Sequence, residues 1–376
     1  MTALLSWLIG PSSLIWLYLC FAHGKFWQSA PQLPPAVPSA CPDVDIIVPA
    51  RDEAATIGPV IGSLLAQDYA GRFKVILVDD NSSDGTAASA AATAAVAPAA
   101  RWTVIRLQSK PAEWSGKLWA LSEGLAASSA PLVLFTDADI VHDPRHLSSL
   151  VAKLLQSRLD LVSEMVRLNC ASLAERALVP AFVYFFQMLY PFQRVNDPRS
   201  RVAAAAGGTV LIRREALQRI GGIESIKQAL IDDVALAASV KKSGAIFLGH
   251  SGLAASLRAY PAFADIWQMI SRTAFTQLRC SAVLLAFTLI GLSVVWLVPP
   301  SVMLLGHGWE RACALFTFGL AAVSYLPTLA RYRRNPLWSL ALPLIALFYM
   351  GATLYSALNH WRGRGARWKD RAYGSG

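Results

Sequence analysis

Three acidic pairs stand out in this 376-residue chain. Asp137 and Asp139 flank Ala138 in "PLVLFTDADIVHDP" (131–144), Asp79 and Asp80 close "KVILVDD" (74–80), and Asp232 and Asp233 open "DDVALAASVKKSG" (232–244). Neighbouring carboxylates repel each other, and burying them is costly unless cations or hydrogen-bond donors compensate. In a strand, residues two apart point to the same side. The spacing therefore predicts that Asp137 and Asp139 address one ligand. One of them would hold a divalent cation, Mg2+ or Mn2+, and the other would meet a ribose or a water on that cation. Such a cation neutralises a departing diphosphate. Asp232 and Asp233 read as an acidic pair at a helix N-terminus, favoured by the dipole.

The elements that must position these residues read as alternating strands and helices. Apolar strands are expected at 44–50, 74–80, 102–107 and 132–139, and helices at 53–67, 86–97, 116–128 and 145–157. This alternation predicts an α/β domain with a mostly parallel sheet covered by helices on both faces. Ligands of such sheets bind at the carboxyl ends of the strands. Strand one runs into Pro49-Ala50-Arg51-Asp52-Glu53, strand two into Asp79-Asp80 and "NSSDGT", and strand four into Asp137-Ala138-Asp139. Three strands thus bring carboxylates to one edge.

The flanks belong to a different solvent. The chain is 55% hydrophobic, with its apolar runs at the two ends. Residues 3–22 predict a membrane anchor, and runs near 282–305, 312–330 and 337–358 predict C-terminal transmembrane helices. The expected layout is an anchor and linker start (1–30), a proline-rich linker (31–43), a catalytic domain (44–280), C-terminal membrane helices (281–360) and a basic tail (361–376). Within the domain, "LAERALVPAFVYFFQMLYPFQRV" (173–195) is aromatic and apolar, and is expected as a helix lying on the membrane surface. The net charge of +10 suits polyanionic partners such as an anionic membrane or a phosphate-rich substrate. Much of that charge sits beside apolar runs, in Arg331-Tyr332-Arg333-Arg334 and the tail "HWRGRGARWKDR", rather than in an aromatic-basic stripe, so nucleic acid is disfavoured. Positive-inside logic puts such segments in the cytoplasm. If each C-terminal run crosses once, however, the loop and the tail fall on opposite sides. The five cysteines are scattered and read as structural. No GxGxxG or Walker motif occurs. His142 reads as a loop residue near the acidic pair, with a metal role as the alternative.

The ordered motifs "DIIVPARDEAATI", "VILVDDNSSDGT", "SGKLWALSEGL", "VLFTDADIV", "AAGGTVLIRREALQRIGGI" and "DDVALAASVKKSG" resemble those of family 2 glycosyltransferases of the GT-A fold. The resemblance covers roughly residues 44–280. With the flanking membrane runs and the tail "WKDRAY", the chain further resembles bacterial hopene-associated glycosyltransferases, and it shares a general plan with ceramide glucosyltransferases. The resemblance implies a nucleotide-sugar donor, a UDP-sugar first, and a lipid acceptor such as a hopanoid, at the bacterial inner membrane with the catalytic domain facing the cytoplasm. It implies that Pro49, Arg51, Glu53 and Asp80 hold the nucleoside, with Asp79 in support. Asp137 and Asp139 would take the diphosphate and the metal, and Lys117 would lie near the donor. Asp233 matches the catalytic base, with Asp232 beside it. One departure stands out: where processive and ceramide-type members carry Gln-x-x-Arg-Trp, this chain has Thr276-Gln277-Leu278-Arg279-Cys280. Only Arg279 keeps its place, as a possible diphosphate contact, and a processive polymer synthase is disfavoured.

Overall fold

In the computed structural model, described residues are 2–95, 98, 101–363, 367–368 and 371–372. They fall into two compact units. One comprises Met1–Ser29, Cys170–Gln193 and Ala259–Ala366, and the other Ala30–Asn169, Arg194–Arg258 and Arg367–Gly376.

The second unit is built on an eight-stranded sheet. Its strands are β1 (Val44–Ala50), β2 (Phe73–Asp79), β3 (Trp102–Arg106), β4 (Leu132–Thr136), β5 (Ile140–His142), β6 (Leu161–Arg167), β7 (Thr209–Arg213) and β8 (Ile246–Ser256), in spatial order β3-β2-β1-β4-β7-β6-β8-β5. The expected parallel arrangement holds from β3 to β4. Beyond β4 the sheet becomes mixed: β7 runs antiparallel to both β4 and β6, while β8 is parallel to β6 and antiparallel to β5. β1 is buried along its whole length, as a central strand covered on both faces must be. Ile46, Val48, Val75, Leu77, Leu134 and Leu211 meet helix residues Ile57, Val60, Ile61, Leu150 and Leu154 in one core cluster.

Strand four is shorter than expected. β4 ends at Thr136, and Asp137–Asp139 lie in the turn before β5, where Ile140 N donates to Asp137 O at 3.3 Å. The two-residue strand period therefore does not orient this pair. The reason lies in β5, which leaves the β4 line to pair with β8.

The proline-rich segment is extended, as expected, but it is not a free spacer. His250 N donates to Pro31 O at 2.8 Å, Leu33 N to His250 O at 3.3 Å, and Ala36 N to Ser149 Oγ at 3.1 Å.

The first unit is helical. Its three long apolar helical runs, Ala282–Leu305, Gly308–Arg331 and Pro336–Trp361, are long and apolar enough to cross a membrane. The N-terminal helix Thr2–Leu17 continues into a π turn, Tyr18–Ala22. The run Ala282–Leu305 contains Pro299-Pro300. It stays helical through a π turn at Ser293–Leu297. Prolines carry no N–H, so carbonyls one turn before them lose their donors. The indole N–H of Trp16 fills one such gap, donating to Val295 O at 2.9 Å.

Residues 173–195 form the helix Leu173–Leu189 followed by the short helix Phe192–Asn196. The longer helix clusters with the apolar helices rather than with the sheet. Tyr184 makes that contact concrete, with its hydroxyl 2.6 Å from Ser324 Oγ and its ring 5.0 Å from that of Tyr325. A capping box starts this helix: Glu175 N donates to Ser172 Oγ at 3.1 Å, and Ser172 N donates to Glu175 Oε2 at 2.8 Å. The basic tail, "WKDRAY" included, lies largely outside the described residues.

Candidate active site

The carboxyl ends of β1, β2 and β4 converge, and the loops that leave them are tied to one another. After β1, Arg51 donates from Nη1 to Asp80 O at 2.7 Å and lies 3.7 Å from Asp80 Oδ2. Asp52 adopts φ 50° and Asn81 φ 55°, left-handed conformations that Asp and Asn tolerate better than other side chains. Asp52 then accepts from Ser83 N at 2.8 Å, while its own N–H donates to Ser82 Oγ at 3.0 Å. Asp79 accepts from Ser82 N at 3.1 Å and from the Ser82 hydroxyl. Asp79 therefore shapes the turn, and Asp80 is the fully buried acid beneath Arg51. Ser82 Oγ is committed within this network, so the "NSS" triplet acts as part of the loop. Arg51 Nε is buried without a hydrogen-bond partner among the described residues. The acid facing that nitrogen is Asp52, whose Oδ2 lies 3.8 Å away.

The second group lies in a cleft lined by Pro49, Lys117, Asp137, Gly207, Asp232 and Asp233 together with apolar side chains such as Phe135 and Ile226. Lys117 sits in the first turn of the helix Gly116–Ala126, which Ser115 caps by accepting from Leu118 N. Its ammonium is 2.9 Å from Asp137 Oδ1 and 3.2 Å from Asp232 Oδ2. Burial opposes its charge, but Asp137, Asp232 and Asp233 hold its pKa well above the usual lysine value. Asp232 and Asp233 form the first turn of the helix Asp232–Lys241, so they are both a helix N-terminal pair and members of the cleft. Asp233 Oδ2 accepts from Gly207 N at 2.7 Å and Oδ1 from Val234 N at 2.8 Å. A Cβ at position 207 would lie 3.2 Å from Lys117 Nζ and 3.3 Å from Asp233 Oδ2, so glycine is what permits this close approach. Burial and then the charge of Asp232 push the Asp233 carboxyl up to about 7, against the pull of Lys117 and the two N–H donors. Burial also raises Asp137, an effect that Lys117 opposes.

Asp139 faces a different cation. Its Oδ2 is 2.6 Å from Arg258 Nε, and Arg258 Nη2 reaches Glu53 Oε1 at 2.5 Å. Arg258 follows β8 and belongs to no motif quoted above, so only the fold reveals it. His142 is buried in β5, 3.0 Å from Thr136 Oγ1 and 2.7 Å from the His146 ring, and it is therefore a core residue. Arg279 belongs to the helical unit and has a left-handed backbone, φ 53°.

Among the described residues, no group of three or more His, Cys, Asp or Glu side chains is placed to hold a metal ion. Asp137 and Asp139 are oxygen donors, each with one oxygen bonded to a basic side chain. That set does not make a protein cage. It does fit a hard cation that keeps one or two carboxylates and takes its remaining ligands from phosphate and water.

The family model for glycosyl transferase family 2 matches residues 45–221. Among curated proteins, the beta-monoglucosyldiacylglycerol synthase of Synechocystis sp. is 30% identical over 204 residues, 52% of this chain and 39% of that protein. The dodecaprenyl-phosphate galacturonate synthase of Rhizobium johnstonii is 28% identical over 122 residues, 32% of this chain and 35% of that protein. The matched stretches thus span well under half of these relatives' own lengths. Among solved structures, a mannosyltransferase from Pyrobaculum calidifontis, in complex with GDP-Man and Mn2+, superposes with a TM-score of 0.60 at 19% identity, covering 96% of this chain and 99% of that one. At that identity the likeness is one of fold.

Proposed function

We propose that this chain, whose residues 45–221 match the family 2 glycosyl transferase model and whose fold is of the GT-A kind, acts as a glycosyltransferase of that family and moves a sugar from a nucleotide-sugar to a membrane lipid hydroxyl, with inversion. The observation that carries this reading is the Asp233 carboxyl. It is fixed by Gly207 N and Val234 N, shares the cleft with Lys117 and Asp137, and is tuned to about 7. A base poised near the working pH is what hydroxyl attack needs.

In the proposed step, the acceptor oxygen forms a bond to the anomeric carbon from the face opposite the diphosphate. The acceptor proton passes to Asp233, and the anomeric carbon–oxygen bond breaks with its electron pair leaving on the diphosphate. Arg51, Asp79 and Asp80 frame the nucleoside, and Pro49 closes the floor beside it. Lys117 keeps Asp137 and Asp232 compensated, so that Asp233 is the acid left to accept the proton. Asp139, with Asp137, would hold a divalent cation, Mg2+ or Mn2+, whose chemistry is to neutralise the diphosphate. Arg279 stands as a proposed diphosphate contact on the strength of its motif position alone.

A lipid acceptor is supported by the three apolar helices and by relatives whose names specify lipid products. A hopanoid is the first acceptor to try, on the sequence resemblance, and a UDP-sugar is the first donor. We place the protein in the bacterial inner membrane with the domain facing the cytoplasm. The Rhizobium relative's name favours one rival, a polyprenyl phosphate acceptor. A phosphate needs no base, whereas the raised Asp233 carboxyl supports a hydroxyl acceptor.

The test is transfer by the detergent-solubilised chain across UDP- and GDP-sugars, with Mn2+ or Mg2+ and bacterial lipid extract. A glycolipid that forms with the wild type and is lost in both Asp233→Asn and Asp139→Ala supports the reading. A product that survives Asp233→Asn on polyprenyl phosphate, with no hydroxyl acceptor working, would replace it with the rival.

A further inference from the structure

The guanidinium of Arg258 joins two loops that leave different strands. Nε holds Asp139 of the turn after β4 at 2.6 Å, and Nη2 holds Glu53 of the loop after β1 at 2.5 Å. The join is held at its root. Leu257 N donates to Asp139 O at 2.7 Å, and Ile140 pairs with Ser256, so Arg258 emerges beside the turn by backbone geometry alone. It is braced across the loops as well: Thr56 Oγ1 donates to Ala138 O at 3.0 Å and to Glu53 Oε2 at 3.2 Å. The carboxylates beneath are only 11% and 12% exposed, while the Arg258 side chain is 36% exposed. The cation therefore forms the outer member of the cluster, with solvent on its far side.

This is an awkward place for a fixed ion pair, because Asp139 is also the carboxylate proposed to hold a divalent cation. A guanidinium and a divalent cation repel each other on one carboxylate. A diphosphate removes the conflict, since arginine recognises phosphate by the same planar fork it offers a carboxylate. We infer that Arg258 is a displaceable internal cation: it occupies Asp139 and Glu53 in the donor-free protein, and it moves to the donor's diphosphate when a divalent cation takes Asp139. Cation and nucleotide then enter together, because the protein competent for the cation alone is only the fraction in which Asp139 has been released. The inference rests on the reading of Asp139 as a cation ligand.

The experiment is equilibrium dialysis of the full-length chain in detergent, against Mn2+ alone and against Mn2+ with UDP or GDP, corrected with a protein-free control. Without nucleotide, Arg258→Gln is expected to bind Mn2+ about tenfold more tightly than the wild type, the weight of one charge-assisted hydrogen bond. Arg258→Lys, which keeps the charge, is expected to stay near the wild type. With nucleotide present the wild type is expected to close the gap, and Mn2+-loaded Arg258→Gln is expected to hold UDP or GDP about tenfold more weakly. Equal Mn2+ affinity of wild type and Arg258→Gln without nucleotide, with nucleotide-dependent uptake intact, overturns the inference alone. Nucleotide-dependent Mn2+ uptake that survives Asp139→Asn overturns the cation reading and the inference with it.

Discussion

At the scale of single residues, the Asp233 carboxyl makes the sharpest demands. Its neighbours fix the sign of each change. With a base titrating at about 7, kcat/KM for transfer to a hydroxyl acceptor should rise with pH through that value and level off above it. Asp232→Asn removes a like charge, so the acidic limb should move to lower pH. Lys117→Met removes the compensating charge, so the limb should move up. Asp233→Asn should lower kcat by about a hundredfold to ten-thousandfold while nucleotide affinity holds. A profile that ignores Asp232→Asn would show that another group is the base. Stability should move the opposite way from activity. A carboxyl raised above its unfolded value of about 4 favours the fold while protonated. That contribution is complete below about pH 4 and is lost as pH rises to about 7. Thermal unfolding of donor-free Asp233→Asn should therefore show a stabilisation over the wild type that grows across this window and is flat above it. The acids of the site were legible in the sequence because strand ends and motif order marked them. Arg258 was not, since a lone arginine after a long strand carries no pattern until β8 is seen to pair with β5 beside Asp139.

At the scale of elements, hydrophobic patterning located β1 to β4 and the four helices between residues 53 and 157 to within a few residues, with β1 legible over its full span, Val44–Ala50, but it named no strand for β5 to β8. It failed where backbone pairing, rather than composition, decides. "LVLFTDAD" reads as one strand, yet the chain turns after Thr136 because β5 finds its partner in β8. Composition was likewise blind to the handling of Pro299-Pro300, because the donor that compensates for them lies far away in sequence. Trp16 supplies it, and its ring also meets that of Trp296 edge-on at 4.9 Å. Trp16→Phe keeps a large ring but leaves Val295 O without that donor, and should destabilise the helical unit by ~1–3 kcal/mol, read as a lower unfolding temperature in detergent. The start of the helix Leu173–Leu189 makes a similar demand. Glu175 is buried, which on its own would raise its pKa, but it accepts from the backbone N–H groups of Ala171, Ser172 and Tyr260, and the net effect lowers it. A carboxylate held this way stabilises above its unfolded pKa and loses that contribution as pH falls. Glu175→Gln should therefore cost most near neutral pH and least in acid, and an equal cost at both would place its role in packing alone.

At the scale of the whole molecule, the question is which solvent the helical unit requires. Its apolar runs of 24, 24 and 26 residues correspond to roughly 36–39 Å at 1.5 Å per residue, longer than the ~30 Å hydrocarbon layer. Phe287, Leu304 and Leu344 are 69%, 75% and 71% exposed, a pattern that water penalises and lipid does not. The net charge of +10 offers an alternative, since a basic protein can also adhere to an anionic membrane through its surface. The two modes separate under salt. Electrostatic adhesion fades once the Debye length falls to about 3 Å at 1 M salt, whereas buried hydrocarbon contact does not. Membranes carrying the full chain should therefore retain it through 1 M salt and alkaline carbonate and release it in detergent. Release by salt alone would make the apolar helices an internal core of a peripheral protein. The side proposed above rests on the arginines. Arg331, Arg333 and Arg334 lie at the junction of the second and third apolar runs, and basic flanks are retained in the cytoplasm. In a cysteine-free background, Arg333→Cys should resist an impermeant maleimide in intact cells and react once the membrane is opened. Labelling from outside would invert the proposed orientation.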